Sequence, residues 1–137
     1  MNDKIKKLMD ELEFNIETAT AYAETSGKCI YCNIDIINDF SMYIISQIDH
    51  IFPKSKYPDV QNDPKNNVLS CYYCNQKKRN YIPENLTDTP EIILYDNKKR
   101  MYLIEDIRKK CGLSIKNTHE RIKNEKEYLD KITKILK

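Results

Sequence analysis

CIYC at residues 29–32 and CYYC at residues 71–74 place two cysteine pairs on either side of a 38-residue insert, in a chain with five cysteines. Each C-x-x-C turn presents two thiolates, and two such turns supply the four ligands of a tetrahedral metal site. The sequence therefore predicts that Cys29, Cys32, Cys71 and Cys74 share one structural zinc ion. The alternative is that some of them are small buried hydrophobic residues. Cys111 has no partner in the pattern and is predicted to lie in the core.

Size and composition favour one small domain over residues 1–137. The chain is 32% charged and has no tryptophan, so its apolar core is modest and a metal staple would help to hold it. The N-terminus lacks the apolar run of a signal peptide, and no segment approaches the ~18 apolar residues of a membrane span. Together with the metal-type cysteine spacing, this predicts a reducing, cytoplasmic setting without membrane association.

The charges are unevenly distributed along the chain. Residues 1–75 carry a formal net charge of −4 and residues 76–137 one of +6, for a total of +2. Three basic triplets begin at Lys77, Lys98 and Arg108. Such clusters suit a polyanionic partner, although a solvated lysine-rich surface is the alternative for each of them.

The apolar pattern predicts an N-terminal helix over residues 3–26, which Gly27 would follow in a left-handed conformation. Segments 34–37 and 42–48 favour β structure and are predicted to form an antiparallel hairpin. Residues 53–67 are rich in proline, lysine, aspartate and asparagine, which is typical of a loop. A helix is predicted after Cys74, and Pro83 would end it.

Residues 83–137 are predicted to form a mainly helical extension. Residues 84–100 look irregular, with a possible strand at 92–95, and a short helix over 102–111 would close at Gly112. Ser114 can cap a helix that runs to the end of the chain. Its residues Ile115, Ile122, Leu129 and Leu136 recur at a seven-residue spacing. This helix either packs on its own domain or forms a seam with a second copy or another protein.

Asp49 and His50 lie at the end of a β-favouring run, and the chain has one other histidine. Adjacent residues on a strand point to opposite faces, so both can serve one site only where the strand ends, which Pro53 makes plausible. The carboxylate can then bind a hard cation such as Mg²⁺, and the imidazole can accept a proton from water. A hydrogen-bonded structural pair is the alternative.

The surrounding residues closely resemble the HNH endonuclease family. The resemblance rests on three stretches: Ile48-Asp49-His50-Ile51-Phe52-Pro53-Lys54-Ser55, Asn66-Asn67-Val68-Leu69-Ser70-Cys71 and Cys74-Asn75-Gln76-Lys77-Lys78. Matching positions run from Cys29 to Lys78. The resemblance implies an α+β fold with a small ββα-metal core, made of a β-hairpin and a helix, over residues 27–82. A zinc site of four cysteines would staple this core, and helices would flank it on both sides.

The resemblance also implies a role for each site residue. His50 matches the general base, Asp49 a metal ligand, and Asn75 the position that completes the metal site. Asn66 matches the middle asparagine, which steadies the loop, with Asn67 as a rival one residue away. The loop departs from the family because Lys56-Tyr57-Pro58-Asp59 stands where many relatives have two glycines. His119 lies outside the motif and is predicted to be a surface residue.

The expected activity is hydrolysis of DNA phosphodiester bonds with one Mg²⁺ or Mn²⁺ ion. Lys54, Lys77, Lys78 and Arg79 are predicted to contact phosphates. One alternative is an inactive zinc module that binds nucleic acid or protein. Another is a nuclease effector whose helical flanks dock a partner in a phage or host-defence system.

Overall fold

The structure, a computed structural model, describes residues 2–137 and has an α+β architecture with a two-stranded antiparallel sheet. Its strands are β1 (Gln47–His50) and β2 (Asn67–Ser70). Its helices, in chain order, are α1 (Asp3–Leu12), α2 (Ile16–Thr25), α3 (Phe40–Ile44), α4 (Tyr72–Lys78), α5 (Pro90–Tyr95), α6 (Asn97–Lys110) and α7 (Ile115–Leu136). The predicted fold class is confirmed.

The two strands and α4 form the ββα unit that carries the motif. In the sheet Gln47 pairs with Ser70 and His50 with Asn67, so β1 ends where β2 begins. All four residues of β2 are buried, whereas in β1 only Asp49 is buried. Cys71 then caps α4, because its sulfur accepts from the Cys74 amide at 3.5 Å. The second cysteine pair therefore spans the junction between β2 and α4.

The antiparallel hairpin was predicted between segments 34–37 and 42–48, but in the structure β1 pairs with β2. Asp39 caps α3 by accepting from the Met42 amide at 3.1 Å, so residues 42–44 of the predicted strand are helical. Segment 34–37 contributes only an isolated bridge between Lys28 and Asp35. The true partner of β1 follows a loop in which residues 58–60 and 64–66 form short 3-10 turns. This loop agrees with the one predicted over residues 53–67.

The single N-terminal helix predicted over residues 3–26 is divided in two. Glu13 adopts a left-handed conformation with φ 59°, and Asn15 starts α2 by accepting from the Thr18 amide at 2.8 Å. Both helices continue the same apolar stripe, which is why the pattern alone does not show the break. Gly27 has a φ of 82°, as predicted, and an added Cβ would come within 2.5 Å of Ile37.

The region after residue 83 is more helical than predicted. Residues 84–89 are irregular, as predicted, whereas the rest of the segment, including the possible strand at 92–95, is α5 and the start of α6. Thr89 caps α5 with Pro90 in its first turn, and Asp96 caps α6. The capped helix after Ser114 is present as predicted. Its second half does not pack on the domain, since Tyr128, Leu129, Ile135 and Leu136 are all exposed.

The flanking helices hold the ββα unit through buried polar contacts as well as through the apolar core. Arg100 of α6 is 5% exposed, pairs with Glu24 of α2 and donates to the Lys65 carbonyl at 3.0 Å. Arg108 of the same helix donates to the Ile30 carbonyl in the first cysteine turn. None of the helices within residues 2–137 combines the length and the apolar character that crossing a bilayer requires.

Candidate functional site

The four paired cysteines converge at one point, as predicted. The sulfur atoms of Cys29, Cys32, Cys71 and Cys74 all lie within 4.8 Å of one another, and all four residues are buried. The Cys32 and Cys71 sulfurs are 3.8 Å apart. Four sulfurs around a zinc ion at about 2.3 Å would be separated by the same distance, about 3.8 Å. The cysteines are thus positioned to form a tetrahedral metal site.

Close packing of the thiols makes their protonation strongly unequal. Hydrogen bonding with Cys32 and the other two thiols holds the pKa of Cys29 far below its usual value. Hydrogen bonding with Cys29 and the other two instead raises the pKa of Cys74. Four thiolates this close together repel one another, so the thiols cannot all ionise without a free-energy cost. A bound metal cation removes this cost because it displaces the protons and neutralises the thiolates.

Asp49 lies beside this cluster and is 8% exposed. The Tyr31 hydroxyl donates to Asp49 Oδ2 at 2.6 Å, and the Lys78 ammonium nitrogen is 3.3 Å from the same oxygen. Asp49 Oδ1 has a longer contact, 3.4 Å, with the side-chain nitrogen of Asn75 in α4. The two carboxylate oxygens therefore differ, since Oδ2 faces two donors and Oδ1 faces the Asn75 amide.

Lys78 is an internal cation and not a surface one, which corrects its predicted role in phosphate contact. The residue is 1% exposed, and its ammonium group donates to the His50 carbonyl at 2.9 Å while pairing with Asp49. A buried ammonium is tolerated only with such partners, because its desolvation is costly. Lys78 joins the end of α4 to the end of β1, so no phosphate can reach it in this conformation.

Asn66 and Asn67 make different contacts in the loop. The Asn66 side chain is fully buried, accepts from the Phe52 amide at 2.7 Å and donates to the carbonyls of Phe52 and Val60. Asn67 donates to the carbonyls of Gln61 and Asp63. Asn66 therefore ties the segment just after His50 to the base of the loop, whereas Asn67 braces the far side of the loop.

His50 is the last residue of β1 and is partly exposed, whereas Asp49 is buried. The pair thus shows the alternation expected of a strand, with the histidine at the open end.

Among the predicted phosphate-contacting residues, Lys54, Lys77 and Arg79 are exposed. His119 is exposed on α7, and Cys111 is only partly buried beside the core. The structure thus brings Asp49 against Asn75 in the middle of α4 and leaves three basic side chains open to solvent.

Residues 29–81 match the family model of the HNH endonuclease. This segment is less than half of the chain, and it is similar to an HNH endonuclease domain. The match covers both cysteine pairs, both strands and α4, and it leaves out the helices on either side. No curated protein and no solved structure gives a significant match to the chain. The similarity to this family supports a nuclease-type function in general, and nucleic acid is the class of substrate that the family implies.

Two residues of this candidate site were missed or misassigned by the sequence alone. Tyr31 lies inside the first cysteine pair, where a buried aromatic residue is ordinary and nothing announces a contact with Asp49, 18 residues further on. Lys78 was grouped with two adjacent basic residues. Its position three residues after Asn75, nearly one helical turn, does place it on the same side of α4 as the site.

Proposed function

We propose that this protein is a metal-dependent HNH endonuclease that hydrolyses DNA phosphodiester bonds, with His50 as the general base. The observation that carries the proposal is the convergence of Asp49 and Asn75 beside a histidine at the open end of β1. Asp49 Oδ1 and the Asn75 amide end 3.4 Å apart. A purely structural zinc module would not need this arrangement.

Asp49 and Asn75 fit a hard divalent cation. Carboxylate and amide oxygens are preferred ligands of Mg²⁺, and two oxygens on neighbouring octahedral positions are about 3 Å apart. The oxygen and nitrogen of an asparagine amide are assigned from their surroundings, so the Asn75 carbonyl oxygen can occupy the place facing Asp49. When bound, the cation would neutralise charge that builds on the scissile phosphate and on the leaving oxygen.

His50 is suited to take the proton from the attacking water. Its imidazole is partly exposed, and its backbone carbonyl is fixed by the Lys78 ammonium at 2.9 Å. Asn66 fixes the next turn of the chain through Phe52. A base held in place on both sides loses less freedom when it reaches the reacting geometry. These contacts support Asn66, in preference to Asn67, as the middle asparagine of the motif.

We further propose that the cysteine cluster holds zinc and that its role is structural. Four thiolates leave no open coordination position for water or substrate, which is the pattern of closed structural sites. All four sulfurs are buried, so the substrate has no access to them. Reaction chemistry is then assigned to Asp49, Asn75 and His50 and not to the cysteine cluster.

Lys54, Lys77 and Arg79 are proposed to bind the DNA backbone. They are exposed and follow either His50 or Asn75 by a few residues, so they flank the site. Replacing any one of them with alanine should weaken DNA binding without changing sequence preference. Each lost phosphate contact should reduce the slope of log K against log salt by about 0.9. Fluorescence anisotropy over a range of salt concentrations measures both quantities.

Lys134, exposed near the end of α7, provides the control for that series. Lys134→Ala removes the same charge at a distance from the motif and should leave the salt slope unchanged. Equal slope changes in all four variants would show a diffuse charge effect and would contradict a defined phosphate path.

A cleavage assay on supercoiled plasmid with a panel of divalent cations tests the activity itself. The zinc-loaded protein should nick or cut DNA in Mg²⁺ or Mn²⁺ and stop when a chelator removes the exchangeable ion. Asp49→Asn should lose this metal-dependent activity while keeping its zinc. Binding of DNA without cleavage under every condition would instead support the inactive zinc module.

A nuclease that works with a protein partner is the second candidate, and one observation favours it. The outer half of α7 exposes Leu129, Ile135 and Leu136, with Ile135 82% exposed. Leu129 and Leu136 are seven residues apart and therefore lie on one side of the helix, and aliphatic side chains aligned in this way on a solvated helix favour a covering partner. A monomeric protein that cleaves DNA unaided would argue against this candidate.

A further inference from the structure

Tyr31 is held in place by the first cysteine turn. The Ile30 amide donates to the Leu69 carbonyl of β2, and the Asn33 amide donates to the Cys29 carbonyl, both at 2.9 Å. Arg108 donates to the Ile30 carbonyl from α6. Tyr31 itself is completely buried. Its ring therefore has little freedom, and the position of its hydroxyl is set by the turn that carries Cys29 and Cys32.

The Tyr31 hydroxyl donates the shortest hydrogen bond that Asp49 receives, at 2.6 Å to Oδ2. A hydroxyl that donates to an ionised carboxylate forms a strong, directional bond. The Tyr31 side chain is completely buried, so water does not compete for its hydroxyl, which remains a donor to this carboxylate.

This bond determines which carboxylate oxygen is left available. Tyr31 and Lys78 both occupy Oδ2, whereas Oδ1 has only the long 3.4 Å contact with Asn75. If the hydroxyl were absent, the carboxylate could turn about its last side-chain bond and share Lys78 between both oxygens. Lys78 alone is a less directional partner, because an ammonium on a flexible stem can follow the carboxylate.

We propose that Tyr31 is a positioning residue that orients Asp49 so that Oδ1 is presented, together with Asn75, to the divalent cation. The inference rests on the proposed metal role of Asp49 and adds a residue that the family match does not assign. The first cysteine turn then has two roles. It contributes two sulfurs to the cysteine cluster, and through Tyr31 it orients Asp49 at the proposed divalent-cation site.

The test is Tyr31→Phe in the full-length, zinc-loaded protein, with Mn²⁺ binding measured by the electron paramagnetic resonance signal of the free ion. The Mn²⁺ binding that the wild type shows and Asp49→Asn lacks is assigned to the site. Removal of a residue that orients a metal ligand typically weakens affinity about 10–100-fold, and we expect a change in that range for Tyr31→Phe. Phenylalanine keeps the ring, so zinc content and circular dichroism should match those of the wild type.

Tyr81→Phe is the matched control, because the Tyr81 hydroxyl also donates to a carboxylate, Asp106, at 2.8 Å. This control should bind Mn²⁺ as the wild type does. Unchanged Mn²⁺ affinity in a folded, zinc-loaded Tyr31→Phe overturns the inference. An equal loss in Tyr81→Phe overturns it as well, because the effect would then be general.

The wild-type protein offers a second measurement that does not require the variant to fold. A buried hydroxyl bonded to a carboxylate should give a slowly exchanging proton in the NMR spectrum. That proton should shift as Mg²⁺ is added to the wild type and should not respond in Asp49→Asn. A Tyr31 hydroxyl signal indifferent to Mg²⁺ in the wild type would overturn the inference.

These measurements separate the inference from the proposed activity. Mn²⁺ affinity is read without any cleavage, so the role of Tyr31 is decided even if the protein cuts no DNA. Conversely, a protein that cuts DNA in Mg²⁺ and binds Mn²⁺ equally well with phenylalanine at position 31 keeps its function and loses this positioning role. If the wild type binds no Mn²⁺ through Asp49, the inference and the metal role of Asp49 fail together.

Discussion

Replacing His50 with alanine is expected to reduce DNA cleavage by about 10²- to 10⁴-fold, the usual contribution of a general base. The physical reason is that no neighbouring side chain can take over the proton. Asp49 is buried and already accepts from Tyr31, and Lys78 is a donor only. Substrate affinity should change little, because the imidazole is a small part of a charged surface. Single-turnover cleavage of a labelled duplex at saturating protein measures the chemical step.

The second histidine of the chain supplies the control. His119 is exposed on α7, outside the residues that match the HNH model, so His119→Ala should cleave as the wild type does. His50→Ala should also retain its zinc and its thermal unfolding profile, since a partly exposed side chain is being shortened. If His50→Ala cleaved DNA at the rate of the wild type, His50 would not be the base.

Replacing Cys71 with serine is expected to unfold the ββα unit, which is the largest stability effect that we expect in this chain. A structural zinc site contributes roughly 10–16 kcal/mol of apparent binding free energy, comparable to the whole stability of a small domain. Serine keeps an oxygen that can still cap α4, so the substitution removes the thiolate and spares the cap. Zinc content by elemental analysis should fall, and cooperative unfolding by circular dichroism should be lost.

Cys111→Ser is the matched substitution, because Cys111 lies outside the cluster and is partly exposed. It should keep one zinc ion per chain and unfold close to the wild-type temperature. A strong chelator added to the wild type should reproduce the Cys71→Ser result, and added zinc should reverse it. A Cys71→Ser protein that remained folded and active would show that the cluster is dispensable.

The sequence predicts the grouping of the four cysteines better than the elements that carry them. The grouping of the four cysteines follows from the fixed reach of two C-x-x-C turns. Segment 42–48, by contrast, looks like a strand by composition, and the capping side chain of Asp39 makes its first part a helix. Local capping bonds compete with β-propensity, and a pattern of apolar residues does not register them.

The contacts inside the site were the least predictable part. Lys78 reads as one of three consecutive basic residues, and only the packing of α4 against β1 shows that its side chain turns inward. The pairing of β1 with β2 is equally non-local, since Asp49 lies opposite Val68 across a long loop. Periodicity reports which face of an element is buried but does not report what that face meets.

The two cysteine turns are far apart in sequence, so a metal ion that binds both of them limits how often β1 and β2 separate. Cys32 and Cys71 are 39 residues apart, and the segment between them contains Asp49, His50 and Asn66. Closing a loop of that length costs about 3 kcal/mol of chain entropy beyond a constant term, and a bound ion prevents its reopening. Fluctuations that separate β1 from β2 while the ion remains bound therefore stay short-lived. Amide protons of β1 and β2 should consequently exchange with solvent mainly when the ion is released, so the lifetime of the strand pairing follows the residence time of the zinc.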